Sequence, residues 1–193
     1  MEVLLGLLTI GPMSGYDLGQ AIRTSVGFFW NESYGQIYPN LKMLAAEGLV
    51  TAKRERQKGK PDRHIYAITK KGRERLAAWL AVEPQAEIPR NELLLKLFFG
   101  AQISPEISIQ HVDRMLKRER AFLREFRRIE LDEISKNEQY PDAPYWKMAA
   151  RFGQLELEAH LRWGEETLAE LNKIAKKQRK HAEKRKEKGH AGK

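Results

Sequence analysis

The stretch from Asn31 to Ile68 reads as a helix, a short strand, a basic turn and a second strand, and the rest of the chain is organised around it. Ser33 followed by Gln36 has the spacing of a capping box, in which the hydroxyl accepts from a backbone N–H three residues on and the glutamine reaches back. Ile37, Leu41 and Leu44 then fall on one helical face, and Gly48 supplies a left-handed stop. Pro39 falls in the second turn, where its ring meets the Gly35 carbonyl and a hydrogen bond is lost. The spacing therefore predicts a helix over 35–47 with a distorted start. Leu49 to Ile68 predicts two strands joined at Lys58, Gly59, Lys60 and Pro61, with the glycine permitting a tight turn and the proline stiffening it. A helix leading directly into a cation-loaded hairpin is the order of a winged helix-turn-helix, whose helix enters the major groove while the hairpin tip follows the phosphates.

The flanks fit that centre. Val3 to Ile10 is apolar nearly all round, as a short buried helix is. Gly11 and Pro12 break it, and Ser14 opens a second helix with Asp17 facing its positive end and Tyr16, Leu18, Ala21 and Ile22 on its apolar side. Thr69 caps a helix to about Ala81 with Leu76, Trp79 and Leu80 turned inward. Residues 82–89, with two prolines, read as a domain boundary. Beyond it the chain is helical. Asn91 caps a short apolar helix, and Ser104-Pro105 starts a long one reaching about Ser135.

In the last helix, from Tyr145 to about Lys177, Leu157, Leu161, Gly164, Leu168, Leu171 and Ala175 recur as a heptad stripe, and Tyr145, Met148, Phe152, Leu155 and Ala159 form a second stripe. Two stripes require two neighbours: the 104–135 helix of the same chain and a second subunit, and the heptad stripe is assigned to dimerisation. The expected fold is mainly α with a small β-hairpin. Residues 1–82 form a winged helix-turn-helix DNA-binding domain, 89–178 a helical dimerisation domain, and 179–193 a basic, disordered tail.

Charge agrees with this division. Residues 1–82 carry 12 Lys/Arg against 7 Asp/Glu, residues 83–172 carry 13 against 17, and residues 173–193 carry 10 against 2. The 193-residue chain is thus basic at both ends and mildly acidic between. It has no cysteine, which excludes disulfides and thiolate chemistry, and no apolar run of membrane-spanning length. A cytoplasmic setting fits. The five histidines are scattered without metal-ligand spacing, and no catalytic constellation is present, so neither a metal, a cofactor nor an enzyme is expected.

Several segments together resemble the PadR family of transcriptional regulators: Gly11 to Leu18, Phe29 to Lys42 with Glu47 to Val50, and Gly59 to Tyr66 leading to Thr69–Gly72. The resemblance covers nearly all of residues 3–80, and the remainder resembles the longer subgroup with a C-terminal helical dimerisation domain. It implies a homodimeric repressor on a double-stranded promoter inverted repeat, its recognition helices held about 34 Å apart. In the best-known members a small aromatic acid releases the DNA, which implies a small aromatic effector.

At the start of the recognition helix Ser33, Tyr34, Gln36, Tyr38, Asn40 and Lys42 are the candidates for base edges or phosphates; Gln and Asn pair bidentately with adenine. Gln36 serves either its cap or a base, and Tyr38 either packing or a phosphate. Near the hairpin tip Lys58, Gly59, Lys60 and Arg63 are the candidates for phosphates. Phe28, Phe29 and Trp30 read first as core packing. With Phe98, Phe99, Tyr145, Trp146 and Trp163 they are also the aromatic candidates for an effector pocket at the domain junction. Two rival functions remain: a winged-helix protein-interaction module, and an RNA-associated basic dimer binding through its tail.

Overall fold

The computed structural model describes residues 1–30, 33–56, 62–86, 90–129 and 135–190, and the chain divides into two compact units, Met1–Ala86 and Glu87–Lys193. The first unit runs α1 (Glu2–Ile10), β1 (Met13–Ser14), α2 (Gly15–Thr24), α3 (Tyr34–Ala46), β2 (Val50–Glu55), β3 (Arg63–Ile68) and α4 (Lys70–Leu80). Its core gathers Leu4, Leu5, Leu7 and Leu8 of α1, Leu18 and Ile22 of α2, Ile37, Leu41 and Leu44 of α3, with Leu49, Val50, Tyr66 and Leu76. Four leucines in nine residues bury α1 as its composition predicts.

The sheet has three antiparallel strands in the order β1-β3-β2, with Val50 opposite Ile68 and Glu55 opposite Arg63 in the hairpin. The two-residue β1, pairing Met13 with Tyr66 and Ser14 with Ile65, was not expected; so short a strand has no alternation to read. Ser14 closes β1 and opens α2 with a full capping box. Its hydroxyl accepts from the Asp17 N–H at 3.2 Å, and the Asp17 carboxylate accepts from the Ser14 N–H at 3.1 Å. Trp79 and Leu80, expected inside, are exposed, because α4 reaches the core through Leu76 and its last turn runs past it. Tyr16 is exposed as well.

The second unit consists of α5 (Glu92–Phe98), α6 (Pro105–Ile129) and α7 (Ala143–His190), with short 3₁₀ turns at Gly100–Gln102 and Ser135–Asn137. Asn91 caps α5 by accepting from the Leu94 N–H at 3.0 Å. The pairs Glu106–Arg179, Arg120–Glu165 and Arg127–Glu158 show that α6 and α7 run antiparallel. Val112, Met115 and Leu116 form the centre between them, covered by Leu161, Trp163, Leu168 and Leu171.

Two expectations are corrected here. The heptad stripe lies against α6 of its own chain: a Cβ on Gly164 would stand 2.6 Å from Leu116 Cδ2 and 2.8 Å from Met115 Cε. Leu161, Gly164, Leu168 and Leu171 therefore have an intrachain neighbour, and the glycine is there because α6 passes so close. Leu157 is half-buried on the same stripe. The expected disordered tail is instead helical through His190. Lys, Arg, Glu and Gln are good helix formers, no proline interrupts them, and cations suit a helix C-terminus.

Candidate nucleic-acid interface

The C-terminal end of α3 is tied to its neighbours. Gly48, at φ 70°, stops α3. Just beyond it Thr69 donates from its hydroxyl to the Gly48 and Leu49 carbonyls at 2.8 and 3.0 Å and accepts the Gly72 N–H at 3.0 Å. Lys71 Nζ donates to the Glu47 carbonyl at 2.8 Å, a cation at the negative end of α3. One threonine thus joins the end of α3, the entry to the hairpin and the start of α4.

Around α3, Ile37, Leu41 and Leu44 are buried while Gln36, Tyr38, Lys42 and Met43 are exposed and Asn40 is half-buried. Ser33 occupies the cap position, but its side chain makes no cap bond; the Gln36 N–H donates to the Ser33 carbonyl at 2.8 Å instead. The predicted capping box is absent, and Pro39 lies inside the helix. The Tyr34 side chain lies outside the described set. The Tyr38 ring packs over Gly15, where a Cβ would meet Cε1 at 2.7 Å, so this glycine lets α2 and α3 approach. Burial, followed by the neighbouring Tyr38, pushes the Tyr66 hydroxyl pKa up.

On the hairpin, Lys58, Gly59 and Lys60 lie outside the described residues. Arg63 does not stand free for a phosphate. Its Nε donates to Glu55 Oε2 at 2.6 Å, directly across the ladder, and its guanidinium lies 3.9 Å from Asp17 on α2. The Ser14 hydroxyl first, then its N–H and Arg63, hold the Asp17 carboxyl below its ordinary value. Arg54 is likewise paired with Asp62 at 2.7 Å. These pairings follow from register, which the sequence alone leaves open because the turn length sets it. Lys53 and Arg56 are exposed on the same hairpin.

The model of the Transcriptional regulator PadR-like family matches residues 4–78, the unit just described, and that of Virulence activator alpha C-term matches residues 89–172. Residues 4–78 are a PadR-like family domain. It is 36% identical over 118 residues to the negative transcriptional regulator PadR of Bacillus subtilis, a match over 60% of this chain and 65% of that relative's length. The structure of Bacillus subtilis PadR in complex with operator DNA is similar over 88% of this chain and 96% of that one (27% identity, TM-score 0.76). The same protein in complex with p-coumaric acid gives 26% identity and a TM-score of 0.69 over 89% and 97%. The Vibrio cholerae virulence activator AphA gives 26% and 0.70 over 90% and 98%.

The aromatic candidates fall into three groups. Phe28, Phe29 and Trp30 are exposed rather than core, with Phe28 and Phe29 edge to face at 4.7 Å, because they follow α2 in a turn outside its packed face. In the second unit Phe98 and Phe99 meet edge to face at 5.1 Å and are 82% and 58% exposed, and Tyr145 is exposed. Trp146 packs on Tyr140 at 5.8 Å, and Trp163 covers the α6–α7 core, where it serves packing. Among the described residues no group of three or more His, Cys, Asp or Glu is placed to hold a metal, and no helix is long and apolar enough to cross a membrane.

Proposed function

We propose that this chain is a DNA-binding transcriptional repressor that acts as a homodimer on an inverted-repeat operator and responds to a small-molecule effector. The observation that carries the reading is the recognition unit: α3 presents Gln36, Tyr38 and Lys42 outward from a core-anchored face, beside a hairpin rich in lysine and arginine. Its likeness to PadR bound to operator DNA supports the assignment of the partner. Gln36 and Asn40 are the base-reading candidates, and Lys42, Lys58 and Lys60 the phosphate contacts.

The dimer reading rests on the outer stripe of α7. Tyr145, Met148, Phe152 and Leu155 are exposed along one face, and Leu94, Leu95 and Phe98 are exposed on α5. Apolar surface of this extent on a soluble unit marks an interface. Ligand response is supported by the relative whose structure holds p-coumaric acid.

Footprinting on DNA upstream of the chain's own gene tests the reading. The expected result is protection of two symmetric half-sites about one helical turn apart, weakening steeply with salt. Weak, salt-insensitive binding to every fragment overturns it in favour of a protein-interaction module.

A further inference from the structure

A groove of about 460 Å³ lies between the start of α5 and the middle of α6, wholly within the second unit. Arg90, Lys96, Arg114 and Arg118 line it together with His111, against a single carboxylate, Glu92. That carboxylate is already met by Lys96 at 2.8 Å. Its pKa is lowered chiefly by that lysine, with His111 adding to the effect. The segment from 83 to 172 is net acidic, so four permanent cations converging on one concavity run against the composition around them. Crowding them costs self-repulsion, which an anion relieves.

The other known commitments of these groups are partial. Arg118 pairs with Glu119 at 3.0 Å at the α6–α7 seam, and Arg114 donates from Nε to the Gln110 carbonyl at 3.2 Å. Half-buried Leu93 and buried Met115 are the apolar residues of the lining. A lining of cations with two apolar side chains, in a volume within the ordinary range for small-molecule sites, suits an organic anion better than a bare ion. The exposed apolar faces of α5 and α7 are made by other residues, Leu94, Leu95 and Phe98 on the one and Tyr145 to Leu155 on the other.

We infer that this groove is a binding site for a small organic anion carrying two or more negative charges, an organic phosphate or a polycarboxylate. Arg90 and Arg114 are its principal anion contacts, Arg118 and Lys96 supply the surrounding field, and Leu93 and Met115 receive the apolar part of the ligand. Because it spans α5 and α6, an occupied groove ties the first helix of the second unit to its core. An effect of that tie on DNA release rests on the ligand-responsive reading above; the binding itself does not.

Calorimetric titration of the full chain with ADP, with citrate and with a monovalent aromatic acid tests the site. ADP or citrate is expected to bind once per chain and the monovalent acid more weakly. Arg114→Gln and, separately, Arg90→Gln should each weaken binding by about tenfold or more, the loss of one charge-assisted contact. Both residues are exposed, so the ligand-free melting temperature should stay unchanged. Tighter binding of ADP assigns the phosphate class, and tighter binding of citrate the carboxylate class. The inference is overturned by the absence of heat with both polyanions at millimolar concentration, or by binding that neither substitution nor Lys96→Gln disturbs. Operator binding by the same unliganded preparation is scored separately: its absence removes the DNA reading and leaves the groove standing.

Discussion

Glu106, in the first turn of α6, accepts the Ser104 hydroxyl at 2.7 Å and the Arg179 guanidinium at 2.8 Å. The Ser104 bond first, then its own backbone N–H and Arg179, hold its carboxyl down at about 2. The folded value is depressed, so the stabilisation linked to this proton is fully present above the ordinary glutamate range and is lost as pH falls toward 2. A carboxyl titration followed by NMR should place the midpoint near 2 in the parent chain, move it upward in Ser104→Ala, and move it upward by less in Arg179→Gln. An unshifted midpoint in Ser104→Ala would remove the hydroxyl as the main cause. The glycines offer a second test at this scale, with opposite signs. A Cβ at Gly72 would fall on the Leu49 carbonyl oxygen, a backbone atom that cannot swing aside, whereas Gly6 in α1 has nothing within 4 Å. Gly72→Ala should cost about 1–3 kcal/mol by overpacking. Gly6→Ala should gain about 0.5–1 kcal/mol from helix propensity. Urea unfolding of the two variants decides, and equal effects would refute the packing account.

Among the elements, those specified by local signals were legible in the sequence. The Ser14 start of α2 with Asp17 in its first turn, the Thr69 and Asn91 caps, the Gly48 stop and the core positions Ile37, Leu41 and Leu44 are each set by a few consecutive residues, and each is found. What escaped reading depends on pairing across the chain. The β1 strand, the Arg63–Glu55 and Arg54–Asp62 pairs, and the choice of which α7 stripe meets α6 are all fixed by register or by tertiary packing. The helix and its buried face were therefore legible, while the pairing of the hairpin cations was not. This distinction separates the hairpin cations in a measurable way. A lysine that neutralises a phosphate releases counterions, so its loss makes the dependence of log Kd on log salt shallower by about 0.9. Lys58→Ala and Lys60→Ala should each show that change with DNA. Arg63 already faces Glu55 and Asp17, so Arg63→Gln should leave the slope nearly unchanged, and the loss of its exposed pairs should cost no more than about 1 kcal/mol in stability. A full slope change in Arg63→Gln would show that DNA displaces those carboxylates.

At the scale of the molecule, α7 carries two separable burdens. Its inner stripe holds α6, and its outer stripe, in the proposal above, holds a second copy. Phe152→Glu, on the outer face and 66% exposed, should leave the unit folded yet weaken self-association on the order of thirtyfold or more, as removal of an interface hot spot does. Sedimentation velocity across a concentration series checks it, and an unchanged association state would exclude that face. The far end of the helix poses a different question. The family match ends at residue 172, Ala175 is buried, and Arg179 still reaches Glu106, so α7 stays attached to its own unit through that point. Residues 180–193 add six Lys/Arg against two Glu beyond the last described tie to α6. A cationic helix in that position either supplements the grip on DNA phosphates or provides a separate hold on RNA. Truncation after Arg179 keeps the Glu106 pair intact and so changes charge without disturbing the fold. Under the DNA reading, the truncated chain should protect the same operator bases with a shallower salt dependence, because phosphate contacts position the protein but do not select the sequence. A footprint that disappears on truncation, or RNA retention that collapses while the operator is never protected, would move the nucleic-acid site from α3 and the hairpin to the tail.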